Sequence, residues 1–176
     1  MSAIIIRPND LLELDNYSLV GAEEVVTAMI DDSDDSFIRN TDDNNEDALF
    51  ALDNIDTGKT YNLISATARV SDATGGKGGA FRINVEINTT SALVFTQTFN
   101  VAGSASTSFQ NFTTNTTSLD NVSDDYINDL RVRFVASSNV LDLSSIFVTI
   151  DNVGAVSGLE LSAGLLKLTR GKVTIS

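Results

Sequence analysis

Residues 81–88 read FRINVEIN, and their parity decides the fold. Phe81, Ile83, Val85 and Ile87 alternate with Arg82, Asn84, Glu86 and Asn88, which makes one face apolar and the other wet, as in a half-buried antiparallel strand. Upstream, NLISATARVS (62–71) repeats the pattern with Ile64, Ala66, Ala68 and Val70, and the glycine-rich DATGGKGG (72–79) reads as the hairpin loop between the two. Downstream, ALVFTQTFNV (92–101) sets Leu93, Phe95, Phe99 and Val101 on one face, with Gln97 the odd member. DLRVRFVA (129–136) does the same with Leu130, Val132, Phe134 and Ala136, and SSIFVTIDN (144–152) with Ile146, Val148 and Ile150. Strands at this spacing, separated by Ser, Thr, Asn and Gly clusters, predict an all-β, antiparallel β-sandwich, jelly-roll-like in its connections.

The N-terminal third is less regular. SLVGAEEVVTAMI (18–30) reads as strand because Val25, Val26 and Thr27 are β-branched; DALFAL (47–52) offers a short strand with Phe50 and Leu52 on one face. The helix-like stretches are DLLELDN (10–16) and SDDYINDL (123–130), a turn or two each. At the other end, GLELSAGLLKLTRGKVTIS (158–176) gives three short β-segments around Leu159/Leu161, Leu166/Leu168 and Val173/Ile175. A strip of that kind cannot bury its apolar side alone. Residues 1–153 are therefore read as the sandwich body, and residues 154–176 as a C-terminal β-arm that docks on the body or on a neighbouring subunit.

Composition narrows the chemistry. There are 176 residues, no cysteine and no histidine, so thiolate sites, a Ser-His-Asp triad and the usual zinc sites have no ligands or bases within one chain. The net charge of −13 opposes nucleic-acid binding. No run approaches the length of a membrane span. Tryptophan is absent, which weakens a sugar platform, and the nine phenylalanines fall mostly on inward strand positions. The expectation is a non-enzymatic protein with no catalytic, cofactor-binding or metal residues and no cofactor.

Three stretches have the composition of a site. DDSDDSFIRNTDDNNED (31–47) is dense in carboxylates, and Asp31, Asp32, Asp34, Asp35, Asp42 and Asp43 could offer oxygens to calcium, but the EF-hand pattern fails for want of the turn glycine, and the third ligand counted from Asp35 would be Phe37. The alternative is a solvated rim flanking a short strand, SFIR (36–39), anchored by Phe37 and Ile38. DNIDTGKT (53–60) nearly matches a phosphate-binding loop, but Asp53 replaces the first glycine and a strand follows where a helix is needed, so a turn is expected. GGKGG (75–79) has no βαβ context and reads as a hairpin tip.

The order of segments resembles a β-sandwich module of bacteriophage virion proteins over roughly residues 30–153: DDSDDSFIR, then ALFAL, NLISATARVS, a glycine-rich loop, FRINVEI, and DLRVRFVAS leading into SSIFVTIDNV. SDDYINDL stands where that module carries tryptophans. The resemblance implies a structural subunit of a phage particle, most simply a capsid decoration or cement protein. Its partners would be other virion proteins, major capsid or tail subunits, and copies of itself, with no nucleic acid and no membrane. The alternative is a tail- or fibre-associated ligand-binding module for a host glycan or calcium, using the loops at 31–35 and 42–47.

Overall fold

The computed structural model describes residues 3–31, 33–41, 46–73, 81–101, 108–137 and 139–151, and the backbone of 159–162 and 165–168. In chain order the elements are β1 (Ile4–Ile6), β2 (Pro8–Leu14), β3 (Tyr17–Val20), α1 (Val25–Ile30), β4 (Phe37–Asn40), β5 (Glu46–Leu52) and β6 (Thr60–Asp72). There follow β7 (Phe81–Asn88), β8 (Leu93–Val101), β9 (Gln110–Thr113), β10 (Thr117–Ser123), α2 (Asp124–Asn128), β11 (Arg131–Ala136), β12 (Leu141–Asp151), β13 (Leu159–Ser162) and β14 (Leu165–Leu168).

Two antiparallel sheets form the sandwich. The front sheet runs β10-β6-β12-β4-β3, with β1 also on β12 and β9 also on β6; the back sheet runs β2-β5-β11-β7-β8. The chain passes repeatedly from one sheet to the other, as β5, β6 and β7 do in succession, which gives the jelly-roll-like crossovers.

The alternation read from the sequence becomes the core. Ile64, Ala66, Ala68 and Val70 of β6 and Ile146, Val148 and Ile150 of β12 are buried with Ile83, Val85 and Ile87 of β7 and Val132, Phe134 and Ala136 of β11. Large side chains are registered against small ones: Phe134 lies opposite Ala48, and Val132 opposite Phe50, so the layer fills without crowding.

Two N-terminal elements differ from the expectation. Residues 25–30 are helix, not strand. Helical spacing puts Val25, Ala28 and Met29 on one face, and Ala28 and Met29 are fully buried, so tertiary packing against β12, β2 and β4 outweighs the β-branched run. Residues 10–14, expected as helix-like, belong to strand β2. Its register slips between Pro8 and Asp10 and again between Leu11 and Glu13. Each slip inserts one residue into the period of two, so the covered positions fall at Pro8, Leu11 and Leu14, a spacing of three that mimics a helix. The helical turn expected in 123–130 is α2, with Ile127 buried beneath it.

In the C-terminal segment β13 and β14 pair with each other as a two-stranded sheet, Leu159 opposite Leu168 and Leu161 opposite Leu166. The third expected segment, at 173–175, and the glycine-rich loop at 74–80 lie outside the described residues.

Candidate functional site

The acidic stretch is a structural element where it is described. Asp34 holds Arg69 in a two-pronged contact, Nε to Oδ1 at 2.7 Å and Nη2 to Oδ2 at 2.6 Å, and Oδ1 also accepts from Ser144. The hydrogen bond from Arg69 is the main reason the Asp34 carboxyl sits below its usual pKa. Asp31 closes its own turn, accepting from the Ser33 amide at 2.8 Å and from the Ser36 hydroxyl. Asp47 bridges to Arg133 at 3.2 Å. Among the described residues no group of three or more carboxylates is placed to hold a metal ion. Asp32, Asp42 and Asp43 lie outside those residues. Phe37, expected as a core anchor, faces outward; Ile38 is the buried one. The two readings of SFIR differ by one position in parity, and pairing with β12 places Ile38 opposite Leu143. Phe37 instead packs on Phe109 with Arg39 over its ring, while Arg69 stacks on Phe109 and Arg7 on Phe147.

The near-match to a phosphate loop is a connection into strand β6, as expected, and it does grip an anion. The amides of Thr57 and Gly58 both donate to Asp124 Oδ2 at 2.7 Å, and the Thr57 hydroxyl reaches Oδ1 at 3.1 Å. Asn128 fastens the same loop through the Ile55 amide and carbonyl, at 2.8 and 3.0 Å. In the hollow of about 460 Å³ beside this loop Asp124 and Asn128 are thus engaged within the chain, and the side chains of Asp56, Lys59 and Asp125 also line it.

A second hollow, about 360 Å³, lies on the outer face of the back sheet. Its floor is Arg131 and Arg133 of β11 with Asn88 of β7, its far side Glu13 of β2, and its wall the turn from Thr89 to Leu93. β11 sends Val132, Phe134 and Ala136 inward, which obliges Arg131 and Arg133 to point out. Arg131 is registered against Asn88 on one side and Ala51 on the other. The wall is rigid: the Ala92 carbonyl receives the Thr89 amide at 2.8 Å, the Thr89 hydroxyl receives the Ala92 amide at 3.0 Å, and Asp129 accepts from both the amide and the hydroxyl of Thr90. Arg133 is fixed by Glu13 at 3.0 Å and by Asp47. Among the described residues, by contrast, the Arg131 guanidinium and the Asn88 amide have no partner.

Leu93 departs from the expected inward row. A register shift between Ile87 and Asn88 pairs Phe95 with Ile87 and Leu93 with Asn88, leaving Val94 as the extra residue and turning Leu93 out to 54% exposure at the rim of the hollow. The sequence showed Arg131, Arg133 and Asn88 as outward strand positions without marking them as a site; the available signal was two arginines on the wet face of a strand in a strongly acidic chain.

No family model matches the chain, and no curated protein matches it. Solved structures resemble it at low identity and at TM-scores below 0.5. A family 35 carbohydrate-binding module from Clostridium thermocellum has a TM-score of 0.49 at 12% identity, covering 84% of this chain and 98% of that one. A β-(1,4)-mannanase from Podospora anserina has a TM-score of 0.46 at 15% identity over 85% of this chain, which spans only 28% of the enzyme. A xylan-binding module has a TM-score of 0.41 at 13% identity, covering 82% of this chain and 95% of that one. Each is a likeness of β-sandwich fold at low identity. The sandwich expected from the virion-module resemblance is present; the matches lend no support to a phage origin or a capsid role.

Proposed function

We propose that this chain is a non-catalytic binding module whose ligand is hydroxyl-rich, a glycan, seated in the hollow on the outer face of the back sheet. The supporting observation is that hollow: an open, preformed trough of about 360 Å³ in which a guanidinium and an amide face solvent without partners while the surrounding wall is knit to itself. Sugars are recognised by donors and acceptors held in fixed positions, and Asn88 supplies both on a strand that cannot readjust. The exposed Leu93 adds an apolar surface for the C–H face of a ring. A glycan array followed by calorimetric titration tests it: Asn88→Ala and Arg131→Ala proteins that retain the wild-type circular dichroism should lose binding, whereas an array without hits, or variants that bind undiminished, would refute it.

A second role, assembly with copies of itself, is favoured by β8. It is an edge strand of nine residues, LVFTQTFNV, without a charge or a proline, and no described strand pairs with its outer side. Edges of that length are ordinarily blunted, and an unblunted one is a template for strand addition. Light scattering of the full chain and of a version lacking residues 154–176 tests both self-association and the role assigned to the arm; two monomers would refute it.

A further inference from the structure

We infer that the ligand of the back-sheet hollow is anionic, a saccharide whose carboxylate or sulfate is received by Arg131. This rests on the glycan-binding reading above and adds the charge of the ligand to it.

Every other described arginine is engaged. Arg39 is held by Asp142, Arg69 by Asp34 and Asn111, and Arg133 by Glu13 and Asp47; Arg7 stacks on Phe147, and Arg82 also has a partner. Among the described arginines Arg131 alone stands without one, in a chain that carries 24 acidic residues against 11 basic ones. Lys59, in the connection before β6, is the other described cation without a partner, but it is exposed on a loop, whereas Arg131 is half-buried in a strand that lines a hollow. The nearby carboxylates do not pair with Arg131: Asp10, level with it through Ala51, forms no ion pair with it and does not line the hollow. Glu13, the one carboxylate lining the hollow, is bound to Arg133; Asp129 accepts from Thr90; Glu86 is registered against Arg133 and does not line the hollow.

The guanidinium is planar, permanently charged and forked, so it recognises a two-oxygen face of a carboxylate or sulfate, which a lysine at the same place would bind only as a point charge. Arg131 is half-buried at the floor of the trough, between Asn88 and Ala51, so its stem is held by the sheet and only the head is offered. Asn88, beside it, provides the donor and acceptor for a neighbouring hydroxyl, and Leu93 covers the ring. The net charge of −13 opposes an anionic ligand at long range, but at physiological ionic strength that repulsion is screened beyond about 8 Å, leaving the contact with Arg131 to decide.

The experiment is titration of the full chain, near physiological ionic strength, with three oligosaccharides on one scaffold: galactose, galacturonate and sulfated galactose. At least one anionic probe should bind about tenfold or more tightly than the neutral one, the better of the two telling carboxylate from sulfate. Arg131→Gln should erase that preference, bringing the anionic probes down to the level of the neutral one, and Arg131→Lys should restore part of it. Equal binding of neutral and anionic probes, or a preference that survives Arg131→Gln, overturns the inference and leaves the glycan reading standing; no binding of any probe counts against both.

Discussion

Replacing Arg39 with alanine tests the account of the front sheet most directly. Arg39 of β4 donates through Nε and Nη2 to the two oxygens of Asp142 on β12, at 2.6 and 2.9 Å, and Asp142 is registered between Arg39 and Ser71 of β6. The Asp142 side chain is only 7% exposed, and its other hydrogen bond, from Ser71 Oγ, is long at 3.4 Å. Arg39→Ala therefore leaves a buried carboxylate with one weak donor. Removing a partner from a fully buried pair costs roughly 3–5 kcal/mol, and charge-assisted hydrogen bonds are worth about 1.5–3 kcal/mol each. Because the Arg39 side chain is 40% exposed, water can replace part of what is lost, which brings the expected cost to about 2–3 kcal/mol. Asp142→Ala strands only a cation that water can reach and should cost less, and the double variant should fall short of the sum by about 1.5 kcal/mol. Urea denaturation at neutral pH of the four proteins in the cycle measures this. A coupling under about 0.5 kcal/mol, within ordinary additivity, would refute the view that this contact fastens β4 to the sheet.

Two further outcomes follow from the same geometry. Gly21 has φ +78°, and a Cβ there would meet the Asp35 carbonyl oxygen at 2.0 Å, so Gly21→Ala should destabilise by roughly 3 kcal/mol or more in urea melts, through left-handed strain together with a backbone collision. Asp34, with its folded pKa held below the unfolded value by Arg69, contributes stability that is complete above the unfolded pKa and is lost as pH falls through the folded one; half-exposed, it should give well under 1 kcal/mol, and Arg69→Gln should flatten that part of the acid-denaturation curve.

What the sequence disclosed, and what it withheld, divides along one physical line. Strands β5, β6, β7 and β11, and β12 from Ser145 onward, are legible because each keeps a period of two with a buried face, and that period is set by the backbone itself. Wherever a bulge adds a residue, the parity of everything beyond it inverts, and the sequence does not mark the place. β2 was mistaken for a helical turn for that reason, and Leu93 was sent to the core when it faces solvent. The helix at 25–30 failed differently. Local propensity favours strand there, and only the burial of Ala28 and Met29 against three strands reverses it.

The candidate site lay on the hidden side of that line. That Arg131 and Arg133 point outward follows from the alternation of RVRFVA, but nothing in six residues tells which of the two finds acidic partners. The outcome depends on two long-range registers. Arg133 is opposite Leu49, and Leu49 is opposite Glu13, so a carboxylate arrives two strands away on the same level. The bulge between Leu11 and Glu13 is what puts Glu13 there. Arg131 is opposite Ala51, and Ala51 is opposite Asp10, so a carboxylate stands two strands away on that level as well, but it forms no ion pair with Arg131; Asn88 on the other side brings no charge. The same kind of defect on β8 turns Leu93 out beside it. The bulges that made the N-terminal edge and β8 hard to read therefore set Glu13 level with Arg133 and place an apolar rim beside Arg131. Deleting Val94 should straighten β8 with Leu93 still opposite Asn88, and so still on the outer face beside the guanidinium of Arg131, which β11 and β7 hold in place.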